Sequence, residues 1–201
     1  MLHLIVAFTA ASGQGSPHQL PRYQPTWESL DTRQNPAWYA EARFGIKIHW
    51  GPYAVPGWGP VEPGYDHSGV CKGVGGSCYA EQYERFYRDE THPTSAVHRR
   101  VYGADYDYKQ FFPRFKPDLY NGSEWGQLFK RSGAKYVYMT AKHSDGFALW
   151  PSPANRTSST QTIGRDLYGE LVAGVRGAGL KMGVFYEMED YFRFGCSYIL
   201  G

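Results

Sequence analysis

Cysteine is scarce in this chain, three residues in 201, and their spacing excludes a zinc module, which needs four ligands at recognisable intervals. Cys71 and Cys78 bracket a GVGG loop and are spaced to close a small disulfide in an oxidising compartment, with Cys196 left over. An excess of one charge is also missing. A formal net charge of +2, with no basic run longer than His98-Arg99-Arg100, gives no footprint for nucleic acid or for an acidic membrane surface. No apolar stretch is long enough to cross a bilayer. The N-terminal one, Leu4 to Ala11, is followed by small residues and reads as a secretory signal covering residues 1–13, although a positive n-region is absent and a disordered N-terminus is the competing reading. There is no GxSxG elbow, no HExxH or HxH pair and no Gly-rich phosphate fingerprint after any predicted strand. These absences argue in turn against a serine hydrolase, a metal-dependent hydrolase and a nucleotide-binding sheet.

Aromatic residues are plentiful. Seventeen Tyr, 11 Phe and 6 Trp make up 17% of the chain, and their flat apolar faces with polar edges suit stacking on sugar rings or burial with one end wet. Two sequons, Asn121-Gly122-Ser123 and Asn155-Arg156-Thr157, are glycosylation acceptors if the protein is secreted.

Hydrophobic periodicity and the punctuation of Gly and Pro predict alternating elements. A short helix over Pro36 to Arg43, capped by Asn35, precedes a first strand, Phe44 to Trp50. A long stretch rich in Gly, Pro and aromatics follows, to about Asp118, with one predicted helix, Tyr79 to Asp89. A helix at Ser123 to Ser132, a strand at Tyr136 to Ala141, a helix at Asp166 to Ala178 and a strand at Leu180 to Tyr186 complete the pattern. Helix and strand alternation with tight αβ joins predicts a parallel sheet with helical crossovers, whose chemistry belongs at the C-terminal strand ends.

The three predicted strand ends carry His49 with Trp50, then His143 with Ser144 and Asp145, then Tyr186 with Glu187, Glu189 and Asp190. A parallel sheet brings them to one edge. His49 alone would read as a core histidine; paired with His143 at an equivalent strand end it reads as part of a site. Asp145-Gly146 reads as a turn, and the acidic residues after Tyr186 suit a solvated loop equally well. Ser144 beside His143 does not make a hydrolytic pair, because neighbours on a strand point to opposite faces. A metal held by His49, His143 and a carboxylate is the minor reading, as the spacing gives it no support.

The segments FGIKIHWGPYAVPGWG, PRFKPDLYNGSEWGQLFKRSGAKYVYMTAKHSDGFALWPS and RDLYGELVAGVRGAGLKMGVFY resemble the N-terminal part of the family 29 glycoside hydrolases, the α-L-fucosidases. The resemblance runs from about Trp27 to about Phe192. It implies a (β/α)8-like barrel followed by a β-sandwich, a secreted or lysosomal location, no cofactor, and terminal α-L-fucosyl groups of glycans as substrate. Hydrolysis in that family retains configuration and uses an aspartate nucleophile and a carboxylate acid/base. By the same resemblance His49 and His143 are fucose ligands, Glu81 matches the glutamate of an EWY or EWF segment, Tyr186 is a further substrate contact and Trp58 frames the pocket. Ser144 stands where a second histidine is usual, and Gln82 where a tryptophan is usual.

The family's nucleophile lies on the strand after Leu180 to Tyr186, with the acid/base beyond it. The expectation is therefore an α/β chain forming an incomplete (β/α)8 barrel, its first three strands and their helices within residues 14–201, without the catalytic carboxylates. None of Glu187, Glu189 and Asp190 matches those positions. The alternative is a non-catalytic fucose-binding or decoy protein, which keeps the same histidines.

Overall fold

The computed structural model describes residues 23–60, 70–71, 76–77, 79–152 and 157–188. The expected signal segment, the Cys71–Cys78 pairing, Cys196, the sequon at Asn155 and the residues Glu189 and Asp190 lie outside the described residues.

The chain divides into two units, residues 1–40 and 41–201. In the first, helix α1 (Trp27–Leu30) is capped by Thr26, whose hydroxyl accepts from the backbone N–H of Ser29, and α2 (Ala37–Glu41) follows Pro36. The α2 helix is shorter than the predicted Pro36 to Arg43.

In the second unit, β1 (Gly45–Ile48) leads through a 3-10 turn, Pro52–Ala54, to a small antiparallel pair, β2 (Val70–Cys71) and β3 (Gly76–Ser77). A 3-10 turn at Ala80–Gln82 runs into α3 (Tyr83–Tyr87), then α4 (Pro93–Tyr102) and a 3-10 helix at Tyr108–Arg114. The regular part follows: α5 (Gly122–Arg131), β4 (Tyr136–Lys142), α6 (Ser159–Ile163), α7 (Leu167–Gly177) and β5 (Lys181–Tyr186). Strands β1, β4 and β5 form a parallel sheet in that order, with Ile46 opposite Val137 and Val137 opposite Met182.

The predicted strands and crossover helices are present with ends shifted by a few residues. The predicted helix from Tyr79 to Asp89 is instead a 3-10 turn followed by α3. Sequence reading missed α4 altogether, and its burial pattern explains why. Its buried residues are Thr94, Ser95 and His98 rather than an apolar stripe, so the helical period is written in polar side chains that hydropathy does not register. The signal that could have found it is local: Pro93 at the first helical position after His92, whose ring accepts from Thr94 N at 3.2 Å. Helix α5 starts one residue earlier than the predicted Ser123, with Asn121 as its cap. Asn121 Oδ1 accepts from Ser123 N at 2.9 Å and Glu124 N at 3.2 Å, satisfying two of the free N–H groups of the first turn.

Alternation along the strands decides what faces the helices. Val137 and Met139 are fully buried and, with Ile46, Ile48 and Met182 across the sheet, pack with Leu167, Leu171 and Val175 of α7 and Phe129 of α5 in one hydrophobic core. The opposite row holds Lys47, Tyr138 and Phe185, where the Lys47 ammonium lies 4.4 Å from the centre of the Phe185 ring and 5.9 Å from that of Tyr138.

The two crossover helices touch backbone to backbone. A Cβ on Gly122 would collide with the carbonyl of Glu170, one on Gly126 with the carbonyl of Gly174, and one on Gly174 with the carbonyl of Gly122. Arg165 fastens the entry to α7: its guanidinium donates to Pro117 O and Tyr120 O, each at 3.0 Å, and pairs with Glu170 Oε1 at 3.0 Å. Tyr120 answers by donating to Leu167 O at 2.9 Å.

This contact separates two glycine substitutions of the same chemistry. Gly126→Ala forces the helices apart and is expected to destabilise by about 1–3 kcal/mol. Gly177→Ala, where a Cβ meets nothing within 4 Å, is expected to be neutral or to stabilise by about 0.5–1 kcal/mol through helix propensity. Thermal melts of the two variants beside the parent protein check the contrast, and equal effects would refute the interlock.

Candidate functional site

Parallel pairing puts the C-terminal ends of β1, β4 and β5 along one edge of the sheet, and the period of two then sorts their side chains. His49 continues the row of Lys47, beyond the last residue of β1. Thr140 is in register with Phe185, on the same face as His49, and its Oγ1 lies 3.3 Å from His49 Nδ1. The His49 ring sits with its centre 5.4 Å from that of Phe185 and 5.5 Å from that of His143, inclined at 65° to the latter.

His143 lies just past the end of β4, in a turn closed by Gly146 N donating to His143 O at 3.0 Å, with Gly146 at φ +78°. That φ belongs to glycine, which has no Cβ to clash. Asp145 builds the turn, as expected from sequence. Its Oδ1 accepts from Phe147 N at 3.1 Å, and its Oδ2 accepts from the Tyr108 hydroxyl at 2.8 Å. Tyr108 and Phe147 are themselves buried, and Phe147 packs against Phe112 and Phe115. The loop anchor is thus an aromatic cluster reached from the 3-10 helix at Tyr108–Arg114, which the sequence did not reveal.

One sequence expectation is corrected here. Strand alternation predicts that Ser144 points away from His143. The strand ends at Lys142, and in the turn Ser144 Oγ folds back to lie 3.0 Å from His143 Nδ1. No hydrolytic triad results: the hydroxyl occupies His143 Nδ1, the nitrogen a triad's carboxylate would orient, and the Asp145 carboxylate is engaged in the turn.

Lys142 ties the second and third strand ends together. Its ammonium donates to Glu187 O at 2.8 Å and to His143 O at 3.3 Å, and lies 5.3 Å from the centre of the Tyr186 ring. Tyr186 is half exposed at the rim, with its ring centre 5.8 Å from that of Trp150. Trp58 is partly buried against the hydrophobic core. Glu81, on the 3-10 turn at Ala80–Gln82, lies close enough for its charge to act on His49 and Tyr53. Its carboxylate makes no hydrogen bond or ion pair among the described residues. Tyr53, which sequence reading missed, is buried with its ring centre 5.8 Å from that of His143, and its hydroxyl has no hydrogen-bond partner among the described residues. Among the described residues no cluster of three or more His, Cys, Asp or Glu is arranged to hold a metal.

Both histidines are held neutral. Burial pushes the His143 imidazole down to about 4, helped by the neighbouring His49, Lys142 and Lys47. His49 is lowered too, by burial first and Lys47 second, against an opposing pull from Glu81. Nearby in the same unit, burial raises the Glu84 carboxyl to about 7, although Arg88 Nε donates to its Oε1 at 2.9 Å. The edge therefore offers uncharged hydrogen-bonding rings beside aromatic faces, a surface suited to hydroxyl groups and apolar ring faces rather than to ions.

The lowered His143 value carries a signed consequence. The unfolded chain takes up a proton near pH 6.5 and the native one only near pH 4, so stability is full above about pH 6.5 and falls as pH drops towards 4. The loss is on the order of 3 kcal/mol. Glu84 contributes with the opposite sign over its own range, gaining stability as pH falls from 7 towards 4.5. Urea midpoints at about pH 7.5 and pH 4.5 for the native protein and His143→Gln isolate the histidine: the variant should lose less stability on acidification, and an equal loss would show that His143 is not excluded from protonation.

Residues 10–195 match a family model described as Alpha-L-fucosidase. The tissue α-L-fucosidase of Bos taurus is 36% identical over 174 residues, 86% of this chain and 33% of that protein. Among solved structures, an α-L-fucosynthase of Thermotoga maritima in complex with α-L-Fuc-(1-2)-β-L-Fuc-N3 superposes with a TM-score of 0.77 at 40% identity, over 86% of this chain and 40% of that one. The Thermotoga maritima α-fucosidase in complex with fucose gives 0.73 at 40% identity, over 85% and 39% of the two chains. This chain spans about a third of the length of the curated relatives it matches. A matching family model over nearly its whole length, together with this level of identity, means that the chain belongs to the α-L-fucosidase family.

Proposed function

We propose that this chain forms the fucose-recognising part of an α-L-fucosidase acting on terminal α-L-fucosyl groups of glycans. The observation that carries the reading is the meeting of His49 and His143 at adjacent strand ends, ring centres 5.5 Å apart, in a chain of this family. His49 and His143 bind fucose hydroxyls, Glu81 accepts a hydroxyl proton beside them, and Tyr186 with Trp58 borders the pocket. Phe185 and Tyr186 supply aromatic surface for the apolar side of the sugar.

The proposed architecture is the first three strands of a (β/α)8 barrel. Two features support it: the strands lie side by side in chain order, and α5 and α7 pack against each other on one face of the sheet. In a barrel all helices lie outside, whereas a doubly wound sheet places them on both faces. Retaining hydrolysis needs two carboxylates about 5 Å apart. With the Asp145 carboxylate engaged in its turn, this reading assigns the pair to the part of the family's length that the 201 residues do not cover. A secreted or lysosomal location belongs to the same proposal, and Asn121 fits it as an exposed sequon residue whose carbonyl caps α5.

Titration calorimetry with L-fucose tests the recognition half. Binding at millimolar strength or better is expected, with loss of at least tenfold in His49→Ala, equivalent to about 1.4 kcal/mol. The absence of binding by the folded protein would remove the reading. An aryl α-L-fucoside tests the catalytic half: the 201-residue chain is expected to give no turnover, and robust hydrolysis would show that its own carboxylates suffice.

A further inference from the structure

Each of the two histidines meets a buried hydroxyl at the same ring nitrogen. Thr140 Oγ1 is 3.3 Å from His49 Nδ1, and Ser144 Oγ is 3.0 Å from His143 Nδ1. Thr140 and Ser144 are 1% and 2% exposed. Neither hydroxyl has another hydrogen-bond partner among the described residues, so their environment decides which way each bond runs. A hydroxyl brings one proton and two lone pairs. If Nδ1 carried the ring proton, the hydroxyl would have to accept, and its own proton would be buried with nothing to receive it. That arrangement carries the full desolvation penalty of an unpaired donor. If Nδ1 accepts, both protons are used: the hydroxyl proton goes to Nδ1, and the ring proton sits on Nε2.

We propose that Thr140 and Ser144 are positioning residues which donate to Nδ1 of His49 and His143 and hold both rings as the Nε2–H tautomer. The strand ends then present two matched, uncharged Nε2–H donors. Their neutrality agrees with the burial and the neighbouring cations that disfavour protonation of both rings. Such a pair selects a ligand by its acceptor oxygens. A hydroxyl that accepts from both rings must send its own proton to a third group, so a neutral polyol is favoured over an ammonium ligand, which offers only donors. The identity of the sugar rests on the fucosidase reading above; the tautomers do not.

Ser144 gains a role under this assignment that is separate from direct sugar contact. It is reached only because the chain leaves the strand at Lys142 and turns. The bond between Asp145 and Tyr108 and the glycine at 146 hold the turn that brings the hydroxyl back over the ring.

Long-range proton–nitrogen correlation spectra of the protein labelled with 15N in histidine read the tautomer of each ring directly. At neutral pH both rings are expected to show a protonated Nε2 and a bare Nδ1, the signals being identified with His49→Gln and His143→Gln. Ser144→Ala should return His143 towards a tautomer mixture and weaken L-fucose binding about 3- to 10-fold. Ser144→Thr, which keeps the hydroxyl, should restore both, and Thr140→Val against Thr140→Ser makes the same comparison at His49. An Nδ1–H tautomer at either ring of the native protein overturns the proposal, and so does a Ser144→Ala variant with an unchanged tautomer. If both rings are Nε2–H and L-fucose does not bind, the fucose reading fails while the tautomer assignment stands.

Discussion

Helices α5 and α7 lie so close that the backbone of one fills the place where side chains of the other would be, and this approach is possible only because Gly122, Gly126 and Gly174 carry no Cβ. Both helices are crossovers between strands of one parallel sheet. Their separation therefore helps to fix how β1, β4 and β5 lie beside one another, and with that where the three strand ends arrive. Arg165 reinforces the arrangement from the side by binding the carbonyls that precede α5 and the carboxylate of Glu170 at once. A core of Val137, Met139, Leu167, Leu171 and Val175 fills what the glycines leave. Burial of those side chains drives the packing, and the glycines set its distance.

The site at the sheet edge inherits this order but is made specific by a short irregular segment. Between Lys142 and Phe147 the chain stops pairing as a strand and closes a turn, and three of its polar side chains find defined partners. Lys142 reaches the third strand end, Asp145 reaches Tyr108, and Ser144 reaches the ring of His143. The outcome is a histidine ring wedged among His49, Tyr53 and Phe185 that stays uncharged across the neutral and mildly acidic range. Uncharged imidazoles beside aromatic faces suit hydroxyl groups, because the rings can exchange hydrogen bonds with them without the desolvation cost of a buried imidazolium.

How much of this was legible beforehand varied with the kind of force involved. The strands and the two crossover helices rest on apolar periodicity and local punctuation, and the three strands appear where those signals put them; the family resemblance rests instead on the residues of three long motif segments. The converging histidines could be read from topology, since equivalent strand ends of a parallel sheet share an edge. Helix α4 could not be read from hydropathy, because it buries Thr94, Ser95 and His98. The contribution of Tyr53 and Tyr108 was equally hidden: each is one of many aromatics in a long irregular stretch, and its partner, His143 or Asp145, lies far along the chain.

The sequence by itself determined the alternation of helix and strand, the family resemblance and the residue types at the strand ends. These follow from interactions between near neighbours or from patterns that any fold of the chain must respect. Only the tertiary structure decided that the Asp145 carboxylate accepts from Tyr108, that Ser144 points back at His143, and that both histidines are neutral. Those outcomes depend on which groups are brought together and how far water is removed from them, and neither a hydrogen-bond partner nor a local dielectric is written in the order of residues.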